Sequence, residues 1–168
     1  IVASPHIFSF VRIKLKHLIL FSLISNMNLS VITVTWNAED LIGEQIKSVK
    51  AGCKNISFEE IIVDNASTDK TVEIVEKNFP EVKLLKNNTN TGFAFPNNQA
   101  AKLAQGEFLL FLNPDMRVEE GSLDKIVDWM RAHPDVGLAS CRLVDQYGKL
   151  NKSALPRRFP GFWDQLAI

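Results

Sequence analysis

Two aspartates carry the chemistry most open to reading in this sequence. Asp64 closes the apolar run Ile61-Ile62-Val63, and Asp115 follows the run Phe108 to Leu112. A carboxylate in that position must be paired, solvated or bound to a cation, because burying it bare is costly. Four polar clusters stand at such ends: Thr35-Trp36-Asn37, Asp64-Asn65, Asn87 to Gly92, and Asn113-Pro114-Asp115. Asn, Asp and Gly make turns so readily that any one cluster alone is explained by chain reversal. Four in series, with two carboxylates among them, point to a cation or a hydrogen-bonded polar ligand.

The elements that must position these residues follow from hydrophobic spacing. Leu29 to Thr35 is a β-branched run of strand length, and Leu41, Ile42, Ile46 and Val49 continue at helical spacing. Glu60 to Val63 reads as a second strand. Ser67 and Thr68 can cap a helix running through Asn78, with Asp69 favourable in its first turn. Val82 to Leu85 makes a third strand, Asn97 to Ala104 a third helix, and Gly106 a helix stop. Phe108 to Leu112 is apolar without alternation, as in a strand covered on both faces. Leu123, Ile126, Val127 and Met130 form the stripe of a further helix, which puts Asp124 and Asp128 on its solvent side. Val136 to Ser140 gives one more strand, and Leu143 to Leu150 can turn back through Tyr147-Gly148. Strands alternating with helices predict an α/β fold, a Rossmann-like doubly wound and mostly parallel sheet flanked by helices. Its ligand crevice lies outside the carboxyl ends of the strands, where the four clusters stand.

At 168 residues, with 46% hydrophobic and 23% charged composition, one sizeable core in one domain is expected. The formal charge is zero and the basic residues are scattered, which excludes a nucleic-acid footprint. Cys53 and Cys141 lack the spacing of a metal or redox pair and read as reduced core residues of a cytoplasmic protein. Ile1 to Asn26 has Arg12, Lys14 and Lys16, no acidic residue, and a short apolar run from Leu18 to Ile24. That run is too short to span a bilayer, and contact with a membrane surface is its weaker reading. Met27 is the expected natural start, leaving residues 1 to 26 as a non-native or disordered leader.

Taken together, Val31 to Asn37 (VITVTWN), Ile61 to Asp69 (IIVDNASTD), Asn90 to Ala100 (NTGFAFPNNQA) and Phe108 to Asp115 (FLLFLNPD) resemble family 2 glycosyltransferases of the GT-A fold, in particular their rhamnosyltransferase-like branch. The resemblance covers Leu29 to about Leu143. It implies a nucleoside-diphosphate-sugar donor, with rhamnose on thymidine diphosphate suggested by the branch, and a saccharide or lipid-linked acceptor. It implies that Thr35 and Asn37 line the nucleoside pocket and that Asp64, with Asn65 beside it, accepts a hydrogen bond from a pyrimidine base. Asn90 and Gly92 match a turn approaching the nucleotide, Asn98 belongs to the same donor-binding segment, and Asn113 replaces the first acid of a DxD motif whose last position is Asp115. Asp115 would hold Mg²⁺ or Mn²⁺ on the departing diphosphate, since these ions take one or two carboxylates with phosphate and water. Phe95-Pro96 departs from the small residues usual there; Pro96 suits a first helical turn, and Phe93 and Phe95 are expected to pack in the core.

The same resemblance places the catalytic base in a longer domain, downstream of Ile168, so that no catalytic residue is expected here and the chain alone is expected to turn over nothing. Residues 27 to 150 are then the sugar-nucleotide-binding unit, truncated at its carboxyl end, and 151 to 168 begin an incomplete acceptor-side region. Arg157 and Arg158 read as a solvated basic pair. Three rivals remain. A dinucleotide-binding oxidoreductase needs a Gly-rich turn where Thr35-Trp36-Asn37 stands. A phospho-acceptor receiver domain needs its acids after the first and third strands. A non-catalytic nucleotide-binding module shares every feature named so far.

Overall fold

Aliphatic and β-branched residues dominate the runs that become strands, while Gly, Pro and Asn fall between them. A computed structural model describes residues 9–12, 26–141, 144, 145 and 149. In chain order its elements are β1 (Ser9–Arg12), β2 (Leu29–Thr35), α1 (Ile42–Gly52), β3 (Phe58–Asp64), α2 (Thr71–Asn78), β4 (Lys83–Lys86), α3 (Ala94–Ala101), β5 (Phe108–Phe111), α4 (Ser122–Ala132) and β6 (Leu138–Ala139). The sheet order is β4-β3-β2-β5-β1-β6. β2 pairs parallel with β3 and with β5, and β3 pairs parallel with β4. This is the mostly parallel, doubly wound sheet expected from the sequence, and strand order reverses at β2, where such folds open their ligand crevice.

Both faces of the sheet are covered. Ile32, Ile61, Val63 and Leu109 pack with Ala100 of α3, whereas Ile62 packs with Ile42 and Ile46 of α1 and Val75 of α2. Leu29, Val31, Phe108 and Leu110 join Val49 of α1 and Leu123, Val127 and Met130 of α4. Each fully buried aliphatic side chain contributes about 1.5–3 kcal/mol, so this double layer is what holds the strand ends in place. Cys53 and Cys141 are free thiols, as read from their spacing. Burial pushes the Cys53 thiol up to about 12 and that of Cys141 to about 11, which leaves both unreactive.

Several expectations are corrected. Ser9–Arg12, assigned to the leader, pairs antiparallel with β5 on one side and β6 on the other. The free edge of β5 offers unpaired N–H and C=O groups that any extended segment can satisfy. The rest of residues 1–25 lies outside the described residues, as do Tyr147-Gly148 and Arg157-Arg158, although the Asp145 N–H does reach the Lys149 carbonyl across the expected turn. Asp124 is buried, not solvent-facing: its carboxylate accepts from the backbone N–H groups of Lys54 and Asn55 and from Asn55 Nδ2. It ties the first turn of α4 to the chain leaving α1, a partner 70 residues away that helical periodicity could not reveal. Asp128 is exposed as expected. Gly106 is not a helix stop. A Cβ there would lie 2.4 Å from the Ser30 backbone N, so glycine is required for close approach to β2.

One carboxyl stands inside this layer. Glu60 shares a β3 face with Ile62 and Asp64 and is buried under α1 near Gln45, whose amide donates to Thr33 Oγ1 at 3.1 Å. Burial raises its pKa from 4.5 to about 8, against the lowering effect of the Gln45 hydrogen bond and with a smaller raising contribution from Glu81. The unfolded chain releases this proton near the ordinary value and the folded chain holds it, so the stability it supports is complete at low pH and is lost as pH rises through about 8. Glu60→Gln should therefore gain stability over the parent progressively between about pH 5 and pH 9 in urea unfolding. A difference independent of pH would contradict a buried neutral Glu60.

Candidate functional site

The carboxyl ends of β2 and β3 are in register, with Thr35 opposite Asp64. Parallel partners opposite one another point to the same face, so these two side chains stand side by side. Asp64 is 3% exposed and Thr35 1%. Asp64 Oδ2 accepts from the Ser67 N–H at 3.0 Å. Asp64 Oδ1 and Thr35 Oγ1 are both buried with no hydrogen-bond partner among the described residues. An unmade buried bond costs about 1–3 kcal/mol; Gln45 Oε1, Glu60 Oε1 and Gln99 Oε1 also lack a partner among the described residues, but only Asp64 Oδ1 and Thr35 Oγ1 stand together at the carboxyl ends of two paired strands.

The loops that follow these strands are laced together. Asn37 takes a positive φ of 49°, which asparagine tolerates. Its N–H donates to Ser67 Oγ at 2.9 Å, and its Oδ1 accepts from the Thr68 N–H at 2.8 Å. The next residues repeat the exchange: the Ala38 N–H donates to Thr71 Oγ1, the Glu39 N–H to Asp69 Oδ2, and the Lys70 N–H to Glu39 Oε2. Asn37, expected to line the pocket, thus spends its carbonyl oxygen on holding the loop after β3. The capping expected of Ser67 and Thr68 is likewise corrected. α2 begins at Thr71, and Asp69 accepts from both the Thr71 N–H and Thr71 Oγ1. Ser67 and Thr68 face Asn37 instead, because the β2 loop needs partners across 30 residues.

Asn65 is 2% exposed and engaged on every side by the segment that includes Asn90 and Gly92. Gly92 has a φ of 78° and nothing within 4 Å of where a Cβ would sit, so glycine is needed there for backbone conformation. Asn98 is exposed on α3, while its neighbour Asn97 is buried and donates from Nδ2 to the Phe93 carbonyl at 2.8 Å. α3 starts at Ala94, three residues before the expected Asn97. Phe93 and Phe95 are not in the core: they are 49% and 59% exposed, because the first turn of α3 turns Pro96 and Asn97 inward in their place. Trp36, given no role of its own in the first cluster, is 56% exposed just after β2.

The last cluster lies beyond β5. Leu112 N–H continues the ladder to the Ile32 carbonyl, and the Met116 N–H donates back to the Asn113 carbonyl at 3.1 Å, closing a turn around Pro114 and Asp115. Asn113 is half-buried and Asp115 exposed. Among the described residues no group of three or more His, Cys, Asp or Glu could hold a metal ion. One exposed carboxylate with an amide beside it suits a hard cation that takes most of its oxygens from phosphate and water, and does not suit a metal bound by protein alone.

The family profile described as glycosyl transferase family 2 matches residues 30–165, which spans the whole set of clusters. The chain belongs to that family. The family 2 domain is 36% identical over 127 residues to the poly(ribitol-phosphate) beta-N-acetylglucosaminyltransferase TarS of Staphylococcus aureus, covering 73% of this chain and 22% of that protein. It is 32% identical over 136 residues to the O-antigen biosynthesis protein RfbC of Myxococcus xanthus, covering 79% of this chain and 11% of that protein. The chain therefore spans under a quarter of the length of these two relatives. A crystal structure of TarS 1-349 in complex with UDP-GlcNAc superposes with a TM-score of 0.59 at 36% identity, over 64% of this chain and 32% of that one. The GT-A fold expected from the motifs is the one found. Among the described residues no helix is long and apolar enough to cross a membrane.

The laced loops give the family 2 domain a checkable dependence. Asp69→Ala removes acceptors from Thr71 and from the Glu39 N–H, and should cost about 1 kcal/mol in urea unfolding, as loss of a capping carboxylate does. An unchanged midpoint would mean that the two loops hold without it.

Proposed function

We propose that this chain carries the donor-binding part of a transferase that moves a sugar from a nucleoside diphosphate onto a saccharide or lipid-linked hydroxyl, in a single inverting displacement. The observation that supports this best is the pair of unpartnered atoms, Asp64 Oδ1 and Thr35 Oγ1, side by side at the end of the sheet. An ionised carboxylate only accepts, whereas a hydroxyl can donate. Uracil and thymine present a ring N–H flanked by carbonyl oxygens, which complements that pair; cytosine has no such N–H. TarS structures bear UDP and UDP-GlcNAc, which favours a uridine donor, and the thymidine donor suggested by the motifs offers the same edge.

Asp115, with Asn113 beside it, is proposed to hold Mg²⁺ or Mn²⁺ arriving on the donor. Held there, such an ion would supply positive charge against the negative charge that grows on the departing diphosphate. Asp64 and Thr35 fix the base, the β2 and β3 loops keep the nucleoside still, and the acceptor hydroxyl loses its proton to a base outside the described residues.

Calorimetric titration of UDP, dTDP and CDP with and without Mn²⁺ tests both halves of this reading. UDP and dTDP should bind, CDP should bind at least about tenfold more weakly because it sets the N3 lone pair, in place of an N–H, against Asp64, and Mn²⁺ should strengthen UDP binding. Asp115→Ala should lose the Mn²⁺ increment and keep the preference for UDP over CDP. Equal, metal-independent binding in both proteins would remove Asp115 from the site.

A further inference from the structure

Asn65 was expected to touch the donor, and its hydrogen bonds give it a different task. Its Nδ2 donates to Asn90 Oδ1 at 2.7 Å and to the Gly92 carbonyl at 2.9 Å. Its Oδ1 accepts from the Thr91 N–H and Thr91 Oγ1, both at 3.2 Å, and from Asn87 Nδ2 at 3.4 Å. A carboxamide has two N–H donors and one oxygen with two lone pairs, so nothing is left over for a ligand. Asn90 Oδ1 also accepts from the Gly92 N–H at 3.0 Å, which closes the segment on itself, and the Asn87 N–H bonds the Asp64 carbonyl at 2.9 Å. The loop from Asn87 to Gly92 is thus wound around one buried amide, one residue from Asp64, whose Oδ1 lacks a partner among the described residues.

We propose that Asn65 is a positioning residue for nucleoside recognition, holding the Asn87 to Gly92 loop as a fixed wall beside Asp64 without contacting the donor. The proposal rests on the reading of Asp64 and Thr35 as the base-binding pair. Only an amide can serve. Aspartate at 65 has no N–H for Asn90 or Gly92 and would set a charge against two acceptor oxygens, and leucine would strand all the loop's polar groups. The loop itself is exposed and short of apolar anchors, with Asn90, Thr91 and Gly92 all at the surface, so its order depends on these bonds.

The test compares Asn65→Ala with the parent chain, measuring UDP affinity, amide hydrogen exchange and the urea midpoint together. The variant should exchange faster at Thr91 and Gly92 with Ile62 and Val63 of β3 unchanged, and the folded protein should bind UDP about tenfold more weakly. A purely structural residue would lower the urea midpoint and leave the affinity of folded protein intact, and that outcome overturns the proposal. If Asn65→Ala does not fold, Thr91→Ala decides: it removes one bond from an exposed position and should cost about two- to threefold in UDP affinity, with an unchanged affinity counting against the role. A parent chain that binds no UDP at all overturns the base-binding reading instead, which separates the two failures.

Discussion

The in-register pairing of β2 with β3 is the constraint on which the rest of the molecule depends. Because Leu29 pairs with Phe58 and the register holds through Thr35 and Asp64, two strands of seven residues end level with one another. A slip of one residue would turn Asp64 to the opposite face and separate it from Thr35. The register is enforced by packing: Ile32, Ile61 and Val63 are matched to Ala100 of α3 on one face and Ile62 to Ile42, Ile46 and Val75 on the other, and a shifted pairing loses both fits. The energy of the core is in this way converted into the placement of two polar atoms that the core itself does not satisfy.

Such atoms are a local cost in an otherwise consistent fold. At the opposite, amino ends of β2 and β3 the polar side chains are paired. Glu59, for example, accepts from Ser30 Oγ and from the Gln105 N–H, and Ser30 Oγ in turn accepts from the Gly106 N–H. Proteins break the rule of satisfaction chiefly where function requires it. Ala66, with a φ of 68°, is a second local strain, and it sits between Asn65 and the Ser67 N–H that anchors Asp64. Strain, missing partners and laced loops coincide at one edge of the sheet, and that coincidence is a stronger pointer to a nucleotide pocket than any one of them.

Most of the strand and helix order was legible in the sequence, since continuous apolar runs and 3.6-residue spacing survive in any context. The four polar clusters were legible too, because each interrupts such a run. What escaped was long-range. Ser67 looked like a helix cap because its true partner, Asn37, is 30 residues away. Asp124 looked solvent-facing because periodicity counts apolar neighbours and is blind to the backbone amides at Lys54 and Asn55. Asn65 looked like a ligand contact because its chemistry suits one, and only the folded loop reveals that its amide is already used. Phe93 and Phe95 looked like core residues because aromatic rings usually are, yet Pro96 and Asn97 take the inward positions and leave both rings exposed.

If Asp64 Oδ1 takes the base as proposed, methylating the ring N3 of UDP removes the N–H that would donate to it, while leaving ribose, diphosphate and metal chemistry intact. Competitive titration of N3-methyl-UDP against UDP on this chain is the most direct measurement of the base-binding claim. The methylated nucleotide should bind about a hundredfold more weakly, since it leaves a buried carboxylate oxygen unpaired and adds a methyl group against it. Equal affinity for the two nucleotides would contradict it and move the base away from Asp64.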